Sequence, residues 1–409
     1  MSTAIPPTGT GPLGKREARL AWGLLFPTIA IVTTVVFLPL LAIFWISVKP
    51  IGLADLRPPA PVVREALRGS EDTLRVQYRI RNSSQQEIIS NVTLADTFPD
   101  EVEILRADPR CEITAGRILC DLGELDGGER DEVEVFIATE NEEAAEEALE
   151  GSQPVTTGSG DSILTNFEFS GENFARVFDG NEFWTVLWVT MFYTIFGTIG
   201  ALLFGLFAAL LLNKEFRGQG ILRGLYLFPY VAPVIAVAFA WIILFDPFSG
   251  SANALLIQMG VTQEAINFFG ERPLALIMVT VFEIWRYFPL SFLFILARMQ
   301  SIDADMYEAA DMDGASPFQK FWYLSVPQLL GILSVLFLLR FIWTFNKFDD
   351  IFLLTGGNAG TRTLTVNVYE QAFAVSNIGA GAAVAVVIFC CLLTFSFLFF
   401  RFISREEGL

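Results

Sequence analysis

Six stretches of this chain, near residues 20 to 47, 184 to 212, 221 to 245, 273 to 297, 326 to 346 and 379 to 401, are apolar for long enough to close off most soluble folds. A helix rises 1.5 Å per residue, so about 20 apolar residues cross the roughly 30 Å hydrocarbon core of a bilayer. Within that core every backbone N–H and C=O must be satisfied inside the protein, which a helix achieves alone. Composition agrees: 53% of the residues are hydrophobic, 39 of the 409 are Phe, and mean hydropathy is +0.50. The expectation is an all-α polytopic membrane protein with six transmembrane helices.

The first apolar stretch exceeds a signal-peptide core and has no small-residue cleavage site, so it reads as an uncleaved anchor flanked by cytosolic Lys15, Arg16 and Arg19. Threading the chain from there puts Lys214, Arg217 and Arg223, then Arg298 and Lys320, then Arg401 and Arg405 on the same side. Basic loops stay in the cytosol, which places both termini there. The expected organisation is a cytosolic tail over residues 1–19, a first helix over 20–50, an extracytoplasmic insert over 51–162, and a helical core over 163–405 that carries helices two to six. Residues 9–16, GTGPLGKR, satisfy all of a phosphate-loop pattern except its last position, where Arg16 replaces the Ser or Thr that would hold Mg²⁺. No strand precedes the run, so nucleotide binding is not expected there.

Residues 51–180 hold 28 Asp or Glu against 11 Lys or Arg, a net −17 of the chain's −18. So acidic a block argues against nucleic acid and against adhesion to an anionic bilayer surface. Within it, Leu74 to Ile80, Asn91 to Leu94 and Val133 to Ile137 alternate apolar and polar residues, the period of a half-buried sheet. A β-sandwich core is expected over about 70–140, followed by a linker from Gly151 to Asp161; the acidic run Glu142 to Glu150 reads as a solvated helix or linker. Cys111 and Cys120 are candidates for a disulfide across a hairpin, in a compartment where disulfides persist; two free thiols are the alternative. Cys390 and Cys391 lie in the last apolar stretch and read as small hydrophobes. The chain has no His, so zinc and haem sites of the usual kinds, and any metal site, are unsupported.

Two polar features interrupt the apolar pattern. Glu283 and Arg286 stand three residues apart inside the fourth stretch, where ionisable groups are costly and tend to be functional. They read either as an intramembrane pair with structural work or as lining for a solute pathway. Residues 308–327, EAADMDGASPFQKFWYLSVP, are polar and lie between two spans on the cytosolic side. Glu308, Ala309 and Ala310 favour a helix, Gly314 allows a sharp break, and Pro327 suits the first turn of the next helix. The whole loop, residues 303–327, is expected to form a helix-turn-helix that docks on a partner.

That loop fits EAA-x3-G-x9-I-x-L-P, with Leu324 and Val326 as apolar stand-ins. It resembles the signature loop of permease subunits in binding-protein-dependent, ATP-driven importers of the ABC type I fold. Phe169, Gly171, Asn173 and Phe174, then Phe183, Trp184, Leu187, Thr190 and Thr194, resemble the entry segment of sugar-type permeases, and Phe345-Asn346-Lys347-Phe348 resembles their F-N-x-F element. The resemblance covers residues 163 to 405 and the first helix. It implies ATPase coupling through Glu308, Ala309, Ala310, Asp313, Gly314 and Pro327, and a substrate pathway that draws on Glu283, Arg286, Tyr287, Leu290 and Asn346. It further implies that the chain is not an enzyme and has no cofactor of its own, with ATP and Mg²⁺ bound by a separate ATPase dimer. The implied partners are a second permease completing a heterodimer, an extracytoplasmic solute-binding protein, a carbohydrate substrate and membrane lipid, in a bacterial or archaeal inner membrane. An importer for a polyol or glycerol phosphodiester, and a membrane-anchored surface receptor, are the alternatives. In the insert, Asp96-Thr97-Phe98-Pro99 and Cys120-Asp121-Leu122-Gly123 resemble elements of the immunoglobulin-like conserved-repeat domains of prokaryotic surface proteins.

Overall fold

A computed structural model describes residues 12–69, 74–99, 102–114, 116–138, 153–179 and 181–402. The start of the phosphate-loop-like run, the acidic run Glu142 to Glu150 and Arg405 lie outside the described residues. The chain divides into two compact units, one holding residues up to Phe174 together with Val375–Ala383, the other Ala175–Ala374 and Val384 onward.

The first unit opens with a helical span, Gly14–Ser47, whose mean hydropathy of 2.6 suits a membrane. Its helix loosens into a π turn at Thr33–Phe37, just before Pro39. Proline offers no N–H and crowds the carbonyl four residues back, and a widened turn absorbs both effects. The same solution recurs in the second unit, where a π turn at Phe321–Ser325 precedes Pro327.

Among the described residues eight strands follow: β1 (Pro61–Arg68), β2 (Arg75–Asn82), β3 (Ile89–Thr97), β4 (Glu103–Ala107), β5 (Cys111–Thr114), β6 (Arg117–Leu125), β7 (Arg130–Ala138) and β8 (Val155–Ser159). They form two four-stranded antiparallel sheets in the orders β1-β2-β7-β4 and β5-β6-β3-β8. Period-two alternation sends Val76, Tyr78, Ile80, Val133 and Val135 inward from the first sheet, against Val92, Leu94, Ile118 and Cys120 from the second. Tyr78 donates to Asp96 Oδ2 at 2.5 Å across this core. Burial first, then that bond to the carboxylate, holds the Tyr78 phenol far above its usual range. Cys111 and Cys120 are directly opposed in register, with Cα atoms 3.9 Å apart, and are joined by a disulfide.

The strands extend beyond the expected core on both sides. β1 precedes residue 70, and β8 falls within the expected linker. Val155, Thr156 and Thr157 supply the β-branched residues that let this short segment pair with the edge of β3.

Just past the first span, the fully buried Lys49 Nζ donates to the carbonyls of Ile163 and Asn166 and to Asn166 Oδ1, at 2.8, 2.6 and 2.6 Å. It lies 4.9 Å from the centre of the Trp45 ring, whose indole donates to Leu164 O. Asn173 Nδ2 donates to the carbonyls of Ser47 and Lys49, so the chain leaving the sandwich returns to the end of the span it started from.

In the second unit, the helices Asn181–Leu212, Leu274–Gln300 and Pro317–Phe345 pack on one another, burying Ala209, Phe292, Ile295 and Leu329 completely. The close approach is sequence-driven. A Cβ on Gly205 would stand 2.6 Å from Ser291 Cβ and 2.8 Å from Phe292 N, and one on Gly200 would collide with Ile284 Cδ1. Small residues let membrane helices meet backbone to backbone. Among the described residues five helices are long and apolar enough to cross a membrane: these three, Gly14–Ser47 and Ile378–Arg401. The expected span over 221–245 is instead two helices, Gln219–Val231 and Val234–Leu244, bent by 90°. Ala232 is extended, and Pro233 after it has no N–H to continue a helix.

Candidate functional site

Two places concentrate chemistry that the apolar fold does not need. The first is the loop after the Leu274–Gln300 helix. Asp303 caps a short helix, Ala304–Met312, by accepting from Asp305 N. Gly314 then turns with φ of +77°, a conformation open to glycine at no steric cost. Ser316 and Gln319 form a reciprocal capping box over Pro317, and Lys320 Nζ reaches back to Asp311 Oδ1 at 2.5 Å to hold the two helices together. A turn of helix thus starts at Pro317 and passes through the π turn Phe321–Ser325 into the helix Val326–Phe345, where Pro327 sits in the first turn, as expected. Glu308, Ala309, Asp313 and Gly314 are exposed and Ala310 is half-buried. Around them Met312 is 89% exposed, Phe318 71% and Tyr323 76%, an apolar set on a polar loop that suits a protein partner.

The second place lies among the spans. Glu283 is fully buried and pairs not with Arg286 but with Arg340, whose Nη2 stands 2.6 Å from Glu283 Oε1. Thr344 donates to the same oxygen at 2.9 Å, and Tyr193 donates to Oε2 at 3.0 Å. Both carboxylate oxygens are thus engaged, as burial of an ion requires. Arg286 instead donates to Pro229 O at 3.2 Å and Ala232 O at 3.1 Å, the carbonyls freed at the 90° bend. Tyr287 is half-buried, with the Arg340 guanidinium 4.6 Å and the Lys347 ammonium 4.3 Å from its ring centre, and Lys347 also bonds its hydroxyl. Leu290 is half-buried; Asn346 is exposed, and its amide donates to Ile342 O. Asp350, in a charged run whose sequence suits an outer interface, is fully buried, with Lys347 Nζ at 3.7 Å. Among the described residues no group of three His, Cys, Asp or Glu side chains is placed to hold a metal ion.

Comparison with known sequences decides which family combines such a loop with packed apolar helices. Residues 201–406 match the family of binding-protein-dependent transport system inner membrane components. This chain belongs to that family. The permease is 37% identical over 218 residues to the inner membrane ABC transporter permease protein YcjO of Escherichia coli, covering 53% of this chain and 73% of that one. It is 31% identical over 230 residues to the trehalose/maltose transport system permease protein MalF of Thermococcus litoralis, covering 56% and 77%. Its fold resembles a chain in the solved structure of a bacterial alginate ABC transporter in complex with an alginate pentasaccharide-bound periplasmic protein. The TM-score there is 0.55 and the identity 17%, over 58% of the permease and 84% of that chain. The permease is thus a multi-pass inner membrane transport component.

Sequence reading singles out Glu283 and Arg286 but misses Arg340, Thr344, Tyr193 and Asp350. Arg340 carries a signal of its own, a charge within the apolar run 326 to 346. Tyr193 and Thr344 carry none, because each is recruited by a long-range contact that spacing cannot reveal, and Asp350, three residues after Lys347 in a charged run, gives no sign of its burial.

Proposed function

We propose that this permease is one half of a heterodimeric importer that moves a carbohydrate, delivered by a solute-binding protein and driven by ATP hydrolysis on a separate ATPase pair. The observation that carries the reading is the loop around Glu308, polar, capped at both of its helices and edged with exposed Met312, Phe318 and Tyr323. In this reading closure of the ATPases draws these loops together and tilts the helices from inward-facing to outward-facing. The bent pair counts as one span, giving six, with both termini in the cytosol, and the two-sheet insert is an immunoglobulin-like extracytoplasmic domain that helps position the solute-binding protein.

Carbohydrate is supported by the trehalose/maltose permease among the relatives and by the alginate-bound complex among the fold neighbours. An aromatic face with a few hydrogen-bonding groups suits a sugar's apolar ring face and hydroxyl edges. Tyr287, Leu290 and Asn346 keep surface available for that role. Glu283 and Arg286, bound to protein partners, take part by holding Tyr287 and the bend in place.

The test is Glu308→Lys in the purified, reconstituted importer, with ATP hydrolysis measured as the solute-loaded binding protein is added. Loss of the stimulated rate with the complex still inserted is the expected result; a normal stimulated rate removes Glu308 from coupling.

A further inference from the structure

The end of the helical unit opposite the Glu308 loop carries a hollow that the pathway around Tyr287 does not use. The helices Asn181–Leu212 and Leu274–Gln300 run in the same direction, since Tyr193 meets Glu283 and, further along both, Gly205 meets Ser291. Both begin at the end where the helix Val326–Phe345 finishes. The loop after Phe345 folds back there, with Leu364 N donating to Thr190 Oγ1 at 3.0 Å. Between this loop and the two helix starts lies a hollow of about 300 Å³, lined by Val186 and Val189 and by the polar Glu182, Thr185, Arg272 and Asn358. The loop keeps a costly shape around it. Ala359 has a φ of +51°, in the left-handed region that a residue with a Cβ avoids, and Gly360 follows at +79°. A Cβ on Gly360 would collide with Arg272 Nε, so only glycine lets the backbone come this close to the guanidinium. Strain of this kind persists where the surroundings hold it, and it gathers at ligand clamps.

The walls select the ligand. Arg362 is shared by Glu182 and Glu370, and Arg272 has no carboxylate partner among the described residues. Asp179 and Glu271 adjoin the hollow in sequence, so acids outnumber its two guanidinium groups and an anion gains nothing there. A metal ion is no better served, because among the described residues no group of three His, Cys, Asp or Glu side chains is placed to hold one. A neutral ligand whose polar groups both donate and accept fits the walls. Arg272 and the Asn358 amide nitrogen donate, Glu182 and the Asn358 amide oxygen accept, and the two valines meet an apolar face. A sugar ring has this pattern, hydroxyls at its edge and C–H groups on its face. Small-molecule sites span roughly 300 to 1,000 Å³, so a hollow at the lower limit suits one ring and not a chain of them.

We propose that Arg272, Asn358 and Glu182 form a subsite for a single neutral sugar ring, separate from the pathway around Tyr287 and placed where a solute arrives. The inference rests on the carbohydrate reading and deepens it: in the topology given there, this end of the helices is the outer one. Arg362, held by two carboxylates, fixes the loop against the start of the helix Asn181–Leu212 and so sets the width of the hollow.

The test reconstitutes the full chain in lipid vesicles and exposes it to diazirine-bearing glycosides of glucose, galactose and mannose, with the diazirine glucuronide as the anionic control. Crosslinked peptides are read by mass spectrometry. At least one neutral glycoside should label peptides covering 181–189 and 355–363, and more strongly than the glucuronide does. The R272S/N358A variant should lose that labelling about tenfold with an unchanged melting temperature, and Asn358→Ala alone, a change to an exposed side chain, should lose part of it. Labelling that survives in both variants, or that favours the glucuronide, overturns the proposal. Labelling confined to peptides around Tyr287 and Asn346 overturns the subsite and leaves the carbohydrate reading standing, whereas no labelling anywhere by any glycoside overturns both.

Discussion

Arg340 and Glu283, 57 residues apart in sequence, close a 2.6 Å ion pair with side chains 2% and 0% exposed. Both come from apolar helices, and neither charge reaches water. Removing one partner of such a pair strands the other, at a cost of about 3 to 5 kcal/mol, whereas replacing both by apolar residues is often neutral. Arg340→Leu should therefore lower the melting temperature of the detergent-solubilised chain sharply, and Glu283→Leu with Arg340→Leu should recover most of the loss. A double variant as unstable as the single would show that the pair has no coupling.

Gly205 meets Ser291 and the backbone of Phe292 so closely that a methyl group has no room. Gly205→Ala should destabilise by about 1 to 3 kcal/mol through overpacking. Gly220 lies in the helix Gln219–Tyr226, and a methyl group added there would have no atom within 4 Å, which makes it the control. Gly220→Ala should be neutral or slightly stabilising, by about 0.4 to 1 kcal/mol. Melting curves of the two variants side by side check both.

The Glu87 carboxyl is raised above its ordinary value by burial first, then by Glu168, Asp161 and Asp55. An acid raised on folding binds protons more readily in the folded state, so it lowers stability above its folded pKa and relieves that penalty as pH falls through it. Glu87→Gln keeps an acceptor for Asn166 Nδ2 and should raise the melting temperature at pH 7 by on the order of 1 to 2 °C, with the gain fading as pH falls through the raised folded-state pKa and absent below the ordinary glutamate value. Asp108 moves the other way, lowered chiefly by its bond to Arg110, and Asp108→Asn should cost stability at pH 7 and little in strong acid. Thermal scans across pH distinguish the two signs.

Cys111 and Cys120 close a loop with a separation of nine residues. In the chain-entropy model its loss amounts to roughly 2.5 kcal/mol, so Cys120→Ser should unfold the two sheets at lower urea while leaving the helices inserted. Proteolysis within residues 61–159, followed against urea concentration, is the readout.

The helical spans are legible in the sequence because membrane crossing demands length and apolarity, both local properties of the chain. The strands from Arg75 to Ala138 are legible from their alternation, whereas β1 and β8 are edge strands whose pairing is decided by β2 and β3. The bend at Ala232 is hidden although Pro229 and Pro233 mark it, since an uninterrupted apolar run looks like one rod. Pro327 sits in the first turn of the helix Val326–Phe345, where the pattern puts it; what spacing does not show is that Pro317, capped by Ser316, opens a preceding turn that runs into that helix through the π turn. In the polar cluster, helical spacing makes Glu283 and Arg286 look like partners. A third helix overrides that local choice by bringing Arg340 to the carboxylate and leaving the guanidinium of Arg286 for backbone carbonyls.

Arg286 also changes what the right-angle bend can do. A helix break with open carbonyls is a soft joint, free to trade its acceptors among waters and passing side chains. Here two donors from one rigid guanidinium grip Pro229 and Ala232 together, so the elbow and the Leu274–Gln300 helix form a single bracket. Torque applied at the Gln300 end of that helix, where the loop around Glu308 follows, would swing the elbow as a crank arm rather than flex it, carrying a push on the loop to the far side of the bend.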